Sequence, residues 1–207
     1  MARTAWVRSW RVWLGIAAIV GLAALILLSP SERAAASAVS NVRTTNVSDV
    51  AFSVTWTSAQ AEVGQVRWGS SHATVTNTAD DERGAGTVSE THQVTIGSLQ
   101  PSTAYYFEIV SGSTVADNGG LHYSVTTGPT LAGPGSTLVY GQVFRSNGTT
   151  PAEGCLVYVK VIDNNSSGSA GESQVFSALV DVDGFWNTNI GTVRTTSLAS
   201  FFSFSSP

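Results

Sequence analysis

An all-β chain, with two consecutive β-sandwich modules behind an N-terminal hydrophobic helix, is the fold class this sequence predicts. Three observations carry that expectation. Only 12 % of the 207 residues are charged, and Ser, Thr, Val and Gly are abundant, which is the composition of β-rich domains rather than of a helical bundle. From Val39 onward apolar residues recur at every second position, so that one side of each extended segment is dry. Before Val39 the material is different, a basic stretch followed by an unrelieved apolar run.

That leading stretch comprises residues 1–38. Arg3, Arg8 and Arg11 precede the apolar run from Val12 to Leu28, Ser29-Pro30 breaks it, and Ala36-Ser37-Ala38 offers the small-residue pattern that a signal peptidase accepts. The run also reaches the lower end of membrane-spanning length. Residues 1–38 are therefore expected to be a signal peptide or a membrane anchor, with the membrane contacted through residues 12–28 if the segment is uncleaved. On either alternative the remainder faces outward, secreted or held at the cell surface.

Composition also excludes function classes. A formal net charge of −4 lacks the cationic excess that phosphate contacts demand, so nucleic acid is not an expected partner. With Cys155 as the single cysteine, no intramolecular disulfide can form and the modules must rely on hydrophobic burial.

The first module is expected over 39–127. Val50, Phe52, Val54 and Trp56 alternate with Ala51, Ser53, Thr55 and Thr57, and a second strand places Val66 and Trp68 on one side before Gly69-Ser70-Ser71 turns the chain. Val94 and Ile96, then Tyr105, Phe107 and Ile109, then Leu121, Tyr123 and Val125 supply further strands. Short strands separated by turns predict a sandwich with both tryptophans in its core.

The stretch Leu99-Gln100-Pro101-Ser102-Thr103-Ala104-Tyr105 resembles the L-x-P-x-T-x-Y segment of fibronectin type III domains, with Tyr105 as the corner tyrosine. Trp56 resembles that family's core tryptophan, and Tyr123 to Thr127 its last strand. The resemblance implies a structural role for Tyr105, pinning the crossover between sheets. More narrowly, VRWG at Val66 to Gly69 and THQVTIGSLQPSTAYYFEIVSG at Thr91 to Gly112 resemble the N-terminal domain of purple acid phosphatases, itself fibronectin-like and non-catalytic. The catalytic half of those enzymes needs Asp, Asn and His clusters that hold two metal ions, and neither a GDxxD nor a GNH string occurs in this chain. His72, His92 and His122 are far apart in sequence and read as surface or strand-end residues, so no metal ligands, cofactor-binding residues or catalytic residues are assigned.

Residues 128–136, with two prolines and three glycines, have linker composition. Beyond them, 137–207 again reads as β: Leu138 to Phe144, a turn at Ser146-Asn147-Gly148, Cys155 to Val161 and Gln174 to Val180. Gly141-Gln142-Val143, the stretch Pro151 to Val157 and the turn Asp181-Val182-Asp183-Gly184-Phe185-Trp186 resemble the carboxypeptidase regulatory-like family of transthyretin-like β-sandwiches. In that resemblance Cys155 takes the place usually held by alanine; with no His or basic neighbour in sequence to mark it as an activated nucleophile, a buried, inert thiol is expected. The last residues, FFSFSSP, lack a charged terminus or closing turn, so this module is expected to be incomplete and the chain to be the front of a longer protein.

Two acidic features complete the reading. Asp181 and Asp183 supply two carboxylates where calcium takes six to eight oxygens, and D-x-D-G is also what a tight turn requires. Asp80-Asp81-Glu82-Arg83 lies in the polar stretch from Thr76 to Ser89 and reads as a solvated loop. The expected function is non-catalytic, an exported surface or secreted array for spacing, adhesion or binding of an unknown protein or polysaccharide, without cofactor. The alternative is a non-catalytic accessory region of an exported hydrolase, such as a purple acid phosphatase-like metallophosphoesterase or a peptidase.

Overall fold

Alternation in the sequence becomes strand pairing through a computed structural model, which describes residues 39–204. The run 12–28 and the site at 36–38 lie outside the described residues. Among the described residues no helix is long and apolar enough to cross a membrane.

Seven antiparallel strands build the N-terminal sandwich: β1 (Ser40–Thr45), β2 (Phe52–Gly69), β3 (Asn77–Asp80), β4 (Val88–Ile96), β5 (Ala104–Ser111), β6 (Thr114–Ala116) and β7 (Tyr123–Thr126). The two strands expected around Trp56 and Trp68 are one continuous element, β2. Its first half pairs with β1 and β4, its second with β3 and β5, and the register against β4 slips between Thr57 and Glu62. Such an irregularity bends a strand and raises its twist, which lets β2 leave one layer and enter the other. Phe52, Val54 and Trp56 are fully buried, whereas Val50 is 47 % exposed because it precedes the strand. Leu121 likewise precedes β7 and faces solvent.

Between the layers lie Val47, Val66, Val94, Ile96, Leu99, Tyr105, Phe107 and Ile109 together with the three β2 residues, and Trp68, half-buried, packs against them. The corner works as its motif implies: the Tyr105 hydroxyl accepts the Gln100 N–H at 2.9 Å, and the Thr127 hydroxyl donates to the Gln100 carbonyl at 2.7 Å. A buried phenol thereby gains a partner for its oxygen, as it must to avoid a desolvation cost.

The C-terminal part holds four shorter strands, β8 (Leu138–Gln142), β9 (Leu156–Val159), β10 (Phe176–Leu179) and β11 (Phe185–Asn189), paired as two ribbons, β9 with β10 and β8 with β11. Phe176, Val193 and Phe202 form its small core. Phe202, near the end of the chain, is buried and donates its N–H to the Val193 carbonyl at 2.8 Å.

This part is seated on the N-terminal sandwich by polar contacts. Asn46 has φ +52°, a conformation that asparagine tolerates better than most residues. Its N–H donates to the Val175 carbonyl at 3.1 Å, its Nδ2 to the Ser177 carbonyl at 3.1 Å, and its Oδ1 accepts the Ser177 N–H at 2.9 Å. The Thr45 and Ser177 hydroxyls meet at 2.6 Å, those of Thr55 and Tyr158 at 2.9 Å, and Gln174 Nε2 donates to the Val47 carbonyl at 2.8 Å. Residues 128–136 form no strand but are tied down at both ends: Gly128 N–H donates to Ser48 O at 2.9 Å and Gly135 N–H to Gly191 O at 3.0 Å.

Candidate binding surfaces

The most concentrated polar chemistry sits inside the sandwich. His92 is fully buried, its ring stacked on Trp56 at 4.7 Å between centroids, so it is not the surface or strand-end residue expected from sequence. The cause is parity: His92 shares the dry face of β4 with Val94 and Ile96. Gly64 makes room, since a Cβ there would lie 2.4 Å from His92 Nδ1 and 2.6 Å from Trp56.

His92 Nδ1 pairs with Asp81 Oδ2 at 3.1 Å. Asp81, expected in a solvated loop, is buried, because its segment folds back across β4 and Glu82 N–H bonds the Gln93 carbonyl at 2.9 Å. Burial alone would raise the Asp81 carboxyl. It is nonetheless held well below the usual carboxylate range, because Arg83 donates from Nε at 2.8 Å, Nη2 at 2.9 Å and its backbone N–H at 3.0 Å, alongside the His92 bond. The other carboxylates of the stretch are also engaged: Asp80 accepts from Gln65 at 2.9 Å and Glu82 from Gln93 at 2.8 Å.

A histidine oriented by a buried aspartate is the supporting half of a nucleophilic triad. Here His92 Nε2 is buried without a hydrogen-bond partner and the ring has no opening to solvent. No nucleophile stands at Nε2, and the pair works as a polar strut within the core.

The other singled-out residues disperse. His72 and His122 do approach, with centroids 5.6 Å apart, and His72 lies against Tyr106 at 4.0 Å. Among the described residues no three His, Cys, Asp or Glu side chains could hold a metal ion. Cys155 is exposed, contrary to the buried thiol expected from its sequence neighbours. It ends a tight turn, its N–H bonded to the Ala152 carbonyl at 3.1 Å, and Ala152 is the residue buried there, while β9 starts only at Leu156. The D-x-D-G segment is a turn: Asp181 Oδ1 accepts the N–H of Asp183 at 3.0 Å and of Phe185 at 2.8 Å, and Gly184 takes φ +86°.

Two surface features were not singled out by the sequence. A groove of about 420 Å³ lies between the β1–β2 turn and the C-terminal part, bordered by Val50, Leu131, Pro134, Phe176 and Phe201. At its floor Arg194, buried, donates to Asp49 at 3.1 Å and to the Pro129 carbonyl at 2.7 Å. Burial pulls its guanidinium below the ordinary range, and Asp49 opposes that shift. The second is the outer face of the β8–β11 ribbon, where Leu138, Tyr140 and Phe185 are exposed.

The geometry defines a fibronectin-like β-sandwich carrying a smaller β extension. Residues 39–127 match the family model of the purple acid phosphatase N-terminal domain, a non-catalytic accessory domain. Neither the curated proteins nor the solved structures yield a match to the chain.

Proposed function

We propose that this protein is a non-catalytic exported module array that spaces, displays or binds protein or polysaccharide at the cell surface or outside the cell. The observation that carries the reading is the Asp81–His92 pair: the most enzyme-like constellation among the described residues is sealed against Trp56, with no nucleophile at Nε2 and no route for substrate. Export rests on the arginines before the run 12–28 and on the Ala36-Ser37-Ala38 pattern. Cell fractionation with N-terminal sequencing tests it. The surface or culture protein should begin at Val39 if cleaved or at the initiator end if anchored, and intact chain in the soluble cytoplasm refutes both alternatives.

The match over 39–127 favours a second reading, an accessory region of an exported hydrolase such as a purple acid phosphatase-like metallophosphoesterase or a peptidase. Sequencing the gene past codon 207 separates the two. A hydrolase domain there supports the accessory region, and further sandwich repeats or a wall-sorting tail support the array.

A further inference from the structure

The β8–β11 ribbon has two unlike faces. On one side the Trp186 ring closes over Gly141, so tightly that a Cβ at Gly141 would lie 2.8 Å from the indole Nε1. The other side presents Leu138, Tyr140 and Gln142 from β8 and Phe185, Asn187 and Asn189 from β11. Tyr140 is 77 %, Leu138 61 % and Phe185 48 % exposed, a concentration of apolar surface of the kind that marks an interaction site.

The register says what that site would take. Leu138 stands opposite Asn189, Tyr140 opposite Asn187, and Gln142 opposite Phe185. Each of the three rungs on this face thus pairs one apolar side chain with one amide, and neither strand contains a charged residue. Two of the amides are held in place: Gln142 Nε2 donates to the Asp183 carbonyl at 2.9 Å, and Asn189 Oδ1 accepts the N–H of Thr137 at 2.8 Å and of Gly191 at 3.0 Å.

We propose that this face binds a neutral polysaccharide, an inference that rests on the surface-binding role above and names its ligand class and site. A pyranose ring has an apolar C–H side and a rim of hydroxyls. The C–H side suits the faces of Tyr140 and Phe185, and the hydroxyls suit amides, which both donate and accept. An anionic polymer would call for the charge-assisted bonds of arginine or lysine, and neither strand offers one. A flat apolar protein partner would bury the Asn187 and Gln142 amides against groups that cannot satisfy them. The ribbon is an open strip, about 17 Å long for five residues of strand, which fits a run of linked rings rather than a single sugar.

The 207-residue chain in detergent micelles is tested for retention on insoluble cellulose, chitin and starch, beside Tyr140→Ala, Asn187→Ala and the control Leu121→Ala on the N-terminal sandwich. Near-ultraviolet circular dichroism checks that each variant is folded. The expected result is retention on at least one polymer, weakened at least about tenfold by Tyr140→Ala and by Asn187→Ala, unchanged by Leu121→Ala, with the polymer left uncut. Absence of retention on all three, or retention indifferent to Tyr140→Ala, overturns the proposal. Self-association that Tyr140→Ala abolishes, seen by sedimentation without polymer binding, also overturns it and makes a second copy the occupant. None of those outcomes touches the export reading, which falls on cytoplasmic localisation, whereas release of soluble sugar would instead refute the non-catalytic one.

Discussion

Replacing Asn46 by glycine should loosen the C-terminal part while leaving the N-terminal sandwich intact. The side chain spans the seam through the Ser177 carbonyl at 3.1 Å and the Ser177 N–H at 2.9 Å. Each such bond contributes about 1 kcal/mol net, so glycine should cost the seam about 2 kcal/mol. Glycine accepts the φ of +52° at this position without strain, so that cost reports the lost side-chain bonds, the Nδ2 donation to Ser53 Oγ at 3.0 Å within the N-terminal sandwich among them. Alanine at the same φ should cost about 1 kcal/mol more. Amide hydrogen exchange reads the effect locally: protection in β9 and β10 should fall about 30-fold for glycine, since 1.4 kcal/mol is a factor of ten. Protection in β4 and β5 should be unchanged. Equal loss in β4, β5, β9 and β10 would show that both parts open as one unit. No loss anywhere would show that these bonds are replaced by water without cost.

Tyr105→Phe should lower the stability of the N-terminal sandwich by about 1 to 2 kcal/mol, because the Gln100 N–H loses its acceptor; a urea melt with unchanged slope checks it. Asp81 gives an acid dependence whose sign is fixed: its folded carboxyl lies below the unfolded value of 3.8, so its contribution is full above that value and is lost as pH falls through the folded one. Asp81→Asn should flatten that part of the stability profile, and a variant with the wild-type acid slope refutes the assignment. Purified chain supplied with divalent metal should not hydrolyse a generic phosphomonoester above a heat-killed control. Expressed separately, 39–127 should melt cooperatively while 137–207, with its small core, should not, as measured by calorimetry; the reverse outcome refutes the view that the N-terminal sandwich is the self-sufficient part.

Features encoded by neighbouring residues were legible. The Phe52, Val54, Trp56 alternation gave a buried strand face, and L-x-P-x-T-x-Y gave a tyrosine whose hydroxyl meets the backbone five residues upstream. His92 was legible in principle, since it keeps step with Val94 and Ile96 on β4, but a titratable residue in a core needs a partner, and that partner is Asp81, eleven residues upstream. Nothing local marks Asp81 as turned inward. Cys155 differs: the absence of a His or basic neighbour speaks to its reactivity and not to its burial, and a turn closed by the Ala152 carbonyl places it outside β9, which starts at Leu156.

The two parts differ in what holds them together. In the N-terminal sandwich Phe52, Trp56, Val66, Ile96, Phe107 and Ile109 close both layers on each other, at roughly 1.5 to 3 kcal/mol for each large side chain taken from water. The C-terminal part has three buried residues in its own core, Phe176, Val193 and Phe202, and two ribbons that do not extend each other's hydrogen bonding. An isolated two-stranded ribbon is marginal in water. What this part lacks in core it gains at the seam, where Ser177 on β10 and Tyr158 on β9 bond Asn46 and Thr55. The β9–β10 ribbon is thereby committed to support, whereas Tyr140 and Phe185, on the exposed face of β8 and β11, take no part in it. Tyr140 and Phe185 can be lost there without opening a cavity, which is why their substitution reads binding rather than folding.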